Sequence, residues 1–239
     1  MIKVIPAILP SSYKELEETL ARLQGIVSTV QIDVVDGVFA PNRTWPYGKN
    51  DTEGFEKLVR EDNGMPLWQD FDFEFDLMVT DAAREAPRFL QAGASRLVVH
   101  AKSQHAKEAL LNLQNVRGEG PGLISLGVAL RCDDSPNALW EFEGLYDFVQ
   151  VMGVEKIGFQ GQQFDPRVLE LISQLRAAYP TLSLTIDGGV RFENIQKLVD
   201  AGINRLIAGS LILSQPDVKV AIREIIATAN HTKAGASNV

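Results

Sequence analysis

The sequence predicts an α/β chain folded as a single (β/α)8 barrel, and three observations carry that expectation. Short apolar runs alternate with longer amphipathic segments from one end of the chain to the other, which is the pattern of repeated strand-helix units. Most of the apolar runs are nearly continuous in Val, Ile, Leu and Phe, as strands covered on both faces require. After the first run stand Pro10 and Ser11 instead of a dinucleotide-type glycine fingerprint, which favours a closed barrel over an open doubly wound sheet.

In chain order, strands are predicted at Lys3 to Leu9, Thr29 to Val35, Asp72 to Met78, Arg96 to His100, Ser125 to Leu130, Phe148 to Met152, Ser183 to Ile186 and Arg205 to Ala208. The helices between them are predicted at Ser12 to Leu23, Thr52 to Arg60 (a weaker pattern), Ala82 to Ala92, Gln104 to Val116, Pro136 to Phe142, Pro166 to Tyr179, Asn194 to Ala201 and Asp217 to Ala229. Asp81 before Ala82 and the pair Asp165-Pro166 are start signals, a short polar cap meeting the first turn. Ala92-Gly93-Ala94 and Ala201-Gly202-Ile203 reuse one stop signal, a glycine able to take positive φ past a helix end. Residues 1–230 are expected to form the one barrel domain, and residues 231–239 a small polar tail that frays.

Composition narrows the function classes. With 239 residues, 45% hydrophobic and 23% charged, the chain is close to the globular average, which argues against disorder, collagen-like repeats and a disulfide-rich scaffold. A formal charge of -8 offers no basic surface for nucleic acid or an anionic membrane. The lone Cys132 can form neither an internal disulfide nor a thiolate cluster for zinc, which fits a reducing compartment. The first residues lack a signal-peptide pattern and no apolar run approaches the length of a membrane span, so a soluble, cytoplasmic protein is expected.

In such a barrel reactive groups project from the C-terminal ends of the strands. Asp33 and Asp36 fall at the second strand's end, Asp76 at the third's and Asp187 at the seventh's. Asp before Gly also makes turns, at Asp36-Gly37 and Asp187-Gly188, so a turn role stands beside a chemical one. Asp33 and Asp76 sit within apolar runs, where a buried carboxylate needs compensation. Late glycines recur at successive strand ends: Gly158 and Gly161, then Gly188 and Gly189, then Gly209 with Ser210. Backbone N–H groups in such loops make an anion site, and barrels often hold phosphate after strands seven and eight. Trp45, Tyr47 and Trp68 lie in the long segment after strand two, either as a lid or simply packed.

These residues form ordered motifs. Pro6-Ala7-Ile8-Leu9, Asp33-Val34-Val35-Asp36-Gly37-Val38-Phe39-Ala40-Pro41-Asn42, Asp76-Leu77-Met78-Val79, Met152-Gly153-Val154-Glu155 through Gly158-Phe159-Gln160-Gly161-Gln162-Gln163-Phe164, Asp187-Gly188-Gly189-Val190 and Ala208-Gly209-Ser210 occur in sequence. Together they resemble the ribulose-phosphate 3-epimerase family over about Pro6 to Leu213. The resemblance implies a TIM barrel, a phosphorylated sugar as substrate and a homo-oligomer. It also implies a divalent metal held by a His and an Asp at strand two, a His at strand three and an Asp at strand seven. Here those positions carry Gln31, Asp33, Asp76 and Asp187, so both histidines are replaced. Ala7 stands for the family's serine, Val35 for one methionine and Gln160 for a glycine, while Met78 and Met152 match. Lys156-Ile157 replaces a single proline, lengthening the loop after strand six by one residue. His100 matches a family histidine outside the metal set, and His100-Ala101-Lys102 could put a base and a cation at the cleft rim. His105 and His231 read as solvated or structural.

Epimerisation beside a ketone removes a weakly acidic proton and returns one to the opposite face, so two carboxyl groups must flank the carbon. Asp33 and Asp187 are the expected pair, one starting ionised and the other protonated. With Gln31 and Asp76 in place of imidazoles, the expected cation is a hard ion, Mg²⁺ or Mn²⁺ rather than Zn²⁺; the alternative is no metal and a shared proton. Two other functions stand beside the epimerase: aldol cleavage or decarboxylation of a sugar phosphate, for which Lys102 and Lys156 are the lysine candidates, and phosphosugar binding without catalysis.

Overall fold

The computed structural model describes residues 2–48, 51–116 and 124–230. Eight parallel strands close into a barrel in chain order: β1 (Lys3–Ile8), β2 (Thr29–Val35), β3 (Asp72–Met78), β4 (Ala94–His100), β5 (Ser125–Arg131), β6 (Phe148–Met152), β7 (Ser183–Asp187) and β8 (Arg205–Ala208). Closure is made by β8 pairing back on β1, with Lys3 opposite Arg205 and Pro6 opposite Ala208. The helices are α1 (Tyr13–Leu23), α2 (Thr52–Val59), α3 (Ala82–Gln91), α4 (Ala106–Val116), α5 (Arg167–Ala178), α6 (Phe192–Ala201), α7 (Ser210–Leu213) and α8 (Val218–Asn230).

Two differences from the expected elements stand out. Pro136–Phe142 winds as a 3-10 helix, the tighter coil used in short connectors, and the four-residue α7 directly after β8 has no counterpart among the expected helices. A run of four residues is too short to show a helical period. The capping logic holds: Asp81 accepts the N–H of Arg84, and Gly93 and Gly202 have φ of +103° and +111° at the ends of α3 and α6. The polar tail expected at residues 231–239, including His231, lies outside the described residues.

The two faces of each strand differ in chemistry. Outward side chains such as Ile32, Val34, Phe75, Leu77, Val99 and Leu126 are fully buried beneath the helices in one continuous core. Inward side chains are mixed. At the barrel floor Glu74 accepts from Arg96 and Arg205, both at 2.7 Å, and the Arg96 guanidinium lies 3.8 Å from the centre of the Phe148 ring. Near the C-terminal mouth the inward face instead gathers the acidic residues.

The segment after β2 is part of the core. Trp45 is fully buried, with ring centroids 5.4 Å from Phe55, and Phe55 in turn lies 4.8 Å from Phe89 on α3. Tyr47 donates its hydroxyl to Glu85 at 2.7 Å. Trp68 precedes β3, at the end of the barrel where strands begin. Trp45 and Tyr47 therefore anchor the connection, and Trp68 is exposed away from the mouth, so none of the three forms a lid.

Candidate active site

Register explains why three carboxylates meet. β2 and β3 pair with Asp33 opposite Asp76, and β6 and β7 pair with Met152 opposite Asp187, so all project from the same end of the barrel. Carboxylate oxygens of Asp33, Asp76 and Asp187 lie within 4.8 Å of one another, and all three residues are buried. Asp33 and Asp187 each keep only 7% of their surface exposed, at the opening of the barrel.

Amides and an imidazole pack around this cluster. Gln31 shares the inward face of β2 with Asp33, and its Nε2 donates to Asp33 Oδ1 at 2.9 Å and to Asp187 Oδ2 at 3.0 Å. Gln150 on β6 donates Nε2 to Asp76 Oδ2 at 3.0 Å, with Asp187 Oδ2 at 3.4 Å. His100 Nε2 lies 2.9 Å from Asp76 Oδ1, a geometry in which Nε2 carries the proton when Asp76 is ionised. Both amides turn their NH2 groups toward carboxylates, as charge requires, and Oε1 of Gln31 and of Gln150 is left buried without a hydrogen-bond partner.

Burial and crowding hold protons on the cluster. Asp33 is raised well above the ordinary carboxylate value, first by burial and then by the charges of Asp187 and Asp76. Asp187 is pushed up to about 8 by burial and by Asp76, against the lowering effect of the Gln31 hydrogen bond. Charge on one carboxyl raises the other, so the two titrate as a connected pair whose first deprotonation leaves one carboxylate beside one carboxylic acid. Such a pair contains an acid and a base side by side.

Beside the carboxylates, one cavity opens between the β6–α5 loop and the strand ends of β7 and β8. Gly158, Gly161, Gly188, Gly189, Gly209 and Ser210 all line it, and Met78 and Met152 wall it near Asp33 and Asp187. Gly189 has φ of +69°, and a Cβ there would stand 2.8 Å from Phe164 Cα and 2.9 Å from the Gly153 carbonyl, so no side chain fits. The β6–α5 loop is fastened over the cavity by three separate segments. Asn42 Nδ2 donates to Gly158 O at 2.7 Å, Gln160 Nε2 to Ala7 O at 3.0 Å and Arg191 Nη2 to Gly161 O at 3.2 Å.

Several sequence expectations are corrected here. Asp36 does not join the cluster: its Oδ1 accepts the N–H groups of Val38 and Phe39, and Oδ2 that of Thr80, which is turn chemistry and keeps its carboxyl below the usual range despite partial burial. His100 is buried against Asp76 and does not stand at the rim, and Lys102 turns away to pair with Asp133 and Asp134. Among the described residues no lysine lines the cavity. His105, by contrast, is exposed and pairs with Asp81, as its expected solvated or structural role requires. Two residues were missed by sequence reasoning, Gln150 and Arg191. Gln150 had a readable signal, a lone amide inside the apolar run Phe148–Met152, where burial demands a partner. Arg191 follows Asp187-Gly188-Gly189-Val190 directly, a cation at the threshold of a glycine loop.

Comparison with known proteins agrees with this architecture. The family model described as "Ribulose-phosphate 3 epimerase family" matches residues 3–213. The ribulose-phosphate 3-epimerase of Bacillus subtilis is 32% identical over 94% of this chain and 98% of its own length. That of Schizosaccharomyces pombe is 27% identical over 97% of this chain and 96% of its own. The crystal structure of KGPDC from Streptococcus mutans shares the fold, with a TM-score of 0.61 at 14% identity, covering 96% of this chain and 97% of that one. No helix among the described residues is long and apolar enough to cross a membrane. A closed eight-stranded barrel with the ordered aspartate and glycine motifs at its mouth, matched from Lys3 to Leu213, places this chain in the ribulose-phosphate 3-epimerase family.

Proposed function

We propose that this protein epimerises a phosphorylated ketose at the carbon beside its carbonyl, with Asp33 and Asp187 exchanging the proton. The observation that carries the proposal is the pair itself: two buried carboxyls, both raised, joined through the single Gln31 amide and lining the glycine-walled cavity. The ionised member takes the proton from carbon, and the protonated member delivers one to the other face. Gln31 holds the two side chains at a fixed separation, and Gln150 and His100 hold Asp76. Met78 and Met152 provide an apolar, polarisable floor for the planar intermediate and help exclude water.

The donor set also fits a hard divalent cation. Three carboxylates within 4.8 Å, with a Gln31 amide whose unpartnered oxygen a flip of the side chain would bring to the same place, make the all-oxygen ligands that Mg²⁺ or Mn²⁺ accept and that zinc does not favour. Asp33, Asp76, Asp187 and Gln31 would hold it. When bound it supplies positive charge for the developing enediolate oxygen.

The phosphate is assigned to the glycine-lined side of the cavity, where residues of three strand-end loops meet and their backbone N–H groups would serve as donors. On the resemblance alone, a homo-oligomer is proposed as well. The decisive experiment follows the C3 proton of a ketopentose 5-phosphate in heavy water. Exchange into C3 with appearance of the epimer supports the reading, and phosphate-dependent binding without exchange overturns it.

A further inference from the structure

We infer that Arg191 is a phosphate-binding, specificity-determining residue, a side-chain cation added to a subsite otherwise made of backbone N–H groups. The inference rests on the phosphorylated-substrate reading of the cavity and names the group that would select for it. Arg191 stands at the start of α6, immediately after the β7 glycine turn, and its backbone is secured by Asn194, whose Oδ1 accepts the Arg191 N–H at 2.9 Å and whose Nδ2 donates to Gly189 O at 2.9 Å. Its position is therefore fixed by the same residues that shape the glycine loop.

The guanidinium is poorly satisfied where it lies. Nη1 is 3.4 Å from Ser210 Oγ, and Nη2 is 3.2 Å from Gly161 O and 3.4 Å from Gln162 O. All three bonds fall at or beyond the long edge of the usual range, and all go to neutral acceptors. Among the described residues it has no carboxylate partner, unlike Arg88, Arg96, Arg167 and Arg205, each of which is paired with one or more acids. An arginine that faces a cavity, is half-buried and is held only by long bonds to neutral oxygens retains its capacity for a planar, two-pronged contact with an anion.

Charge is also segregated along the cavity. Asp33 and Asp187 are the acidic residues lining it and Arg191 is the basic one, on the side of Gly161 and Ser210. A dianionic ligand group is repelled from the carboxylate end and attracted to the arginine end. Substrate orientation follows, with phosphate outward and carbonyl inward. Because Arg191 also holds the β6–α5 loop through Gly161 and Gln162, capture of phosphate would occur beside the loop that covers it.

The test measures binding of inorganic phosphate, a ketopentose 5-phosphate and the unphosphorylated ketopentose to the full chain and to Arg191→Gln and Arg191→Lys. Arg191→Gln is expected to weaken both phosphate ligands about 10- to 100-fold, the range of a lost charge-assisted contact, with the unphosphorylated sugar unaffected and the kinetic loss falling on KM more than on kcat. Arg191→Lys should recover part of the affinity, since it keeps the charge and loses the planar fork. If Arg191→Gln does not fold, Arg191→Met takes its place in the same assay, and undiminished phosphate affinity in a folded variant lacking the charge overturns the inference. Equal weakening of phosphorylated and unphosphorylated sugars also overturns it, showing a loop tether only. Arg191-dependent phosphate binding in a protein that performs no exchange supports this inference and removes the epimerase reading instead.

Discussion

Gln31 stands two residues before Asp33 on one strand, and its amide nitrogen lies almost equally far from Asp33 and from Asp187, at 2.9 and 3.0 Å. One donor thus serves two carboxyls on strands that are not neighbours in the barrel.

Replacing that donor should loosen the pair. Gln31→Leu removes both hydrogen bonds and leaves two crowded carboxyls unbridged, so exchange of the substrate proton should fall by roughly 10- to 100-fold, as expected for a buried charged hydrogen bond. Thermal unfolding checks that the fold persists. Unchanged exchange in a folded variant would show that Gln31 does not organise the pair.

Asp33→Asn and Asp187→Asn should each lower turnover by about 100- to 10,000-fold, the usual loss for a positioned acid or base. In the proposed mechanism neither carboxyl can replace the other, because each would serve one face of the carbon. Isotope exchange would separate them further, since a variant lacking only the delivering group can still exchange from the retained face. Wild-type rates in either variant would exclude the two-carboxylate mechanism.

Stability of the metal-free protein should fall as pH rises between about 4 and 8. Asp187 is raised to about 8 in the folded chain, from an ordinary value of 3.8, so over that window the native state holds a proton that the unfolded state has released. Its contribution is full below the unfolded value, declines by up to about 1.4 kcal/mol per pH unit for one proton, and levels above the folded value. Asp33, raised by burial and by the neighbouring carboxylates, acts in the same direction. Denaturant unfolding with a chelator present, repeated on Asp187→Asn, should show a shallower slope in the variant.

Metal selectivity should follow the ligands. After dialysis the protein is expected to take up Mn²⁺ or Mg²⁺ in preference to Zn²⁺, and Gln31→His with Asp76→His should reverse that order by restoring nitrogen donors. Elemental analysis and titration calorimetry read both outcomes. Tight stoichiometric zinc in the unaltered protein would contradict the oxygen-ligand argument.

Much of this architecture is legible in the sequence, and the exceptions have physical causes. Strands such as Thr29–Val35 and Asp72–Met78 read to the residue because their outward faces are unbroken hydrocarbon. The same rule hid the inward face, where Glu74, Gln150 and Arg205 look like interruptions until partners from distant strands are known. Asp33, Asp76 and Asp187 were recognisable by position at strand ends, but Asp36 shared that position and satisfies backbone N–H groups instead. Distinguishing them requires knowing which side of the pleat each one leaves. Trp45 was ambiguous for another reason, since an aromatic residue in a long connection looks alike whether it covers a cavity or packs between α1 and α2, as it does against Tyr13 and Phe55.

The ion triad at the floor bears on how such a barrel completes itself. Glu74 meets Arg96 from the adjoining strand and Arg205 from the last one, a partner 131 residues away. Until β8 docks, the carboxylate has one of its two guanidiniums and the β1 edge has no neighbour on that side. A chain arrested after β7 therefore carries an under-neutralised buried acid together with an open sheet margin, two penalties relieved by the same late event. Closing the seam is in this sense a checkpoint on the whole polypeptide, and partial barrels ending before Arg205 should be aggregation-prone rather than independently stable units.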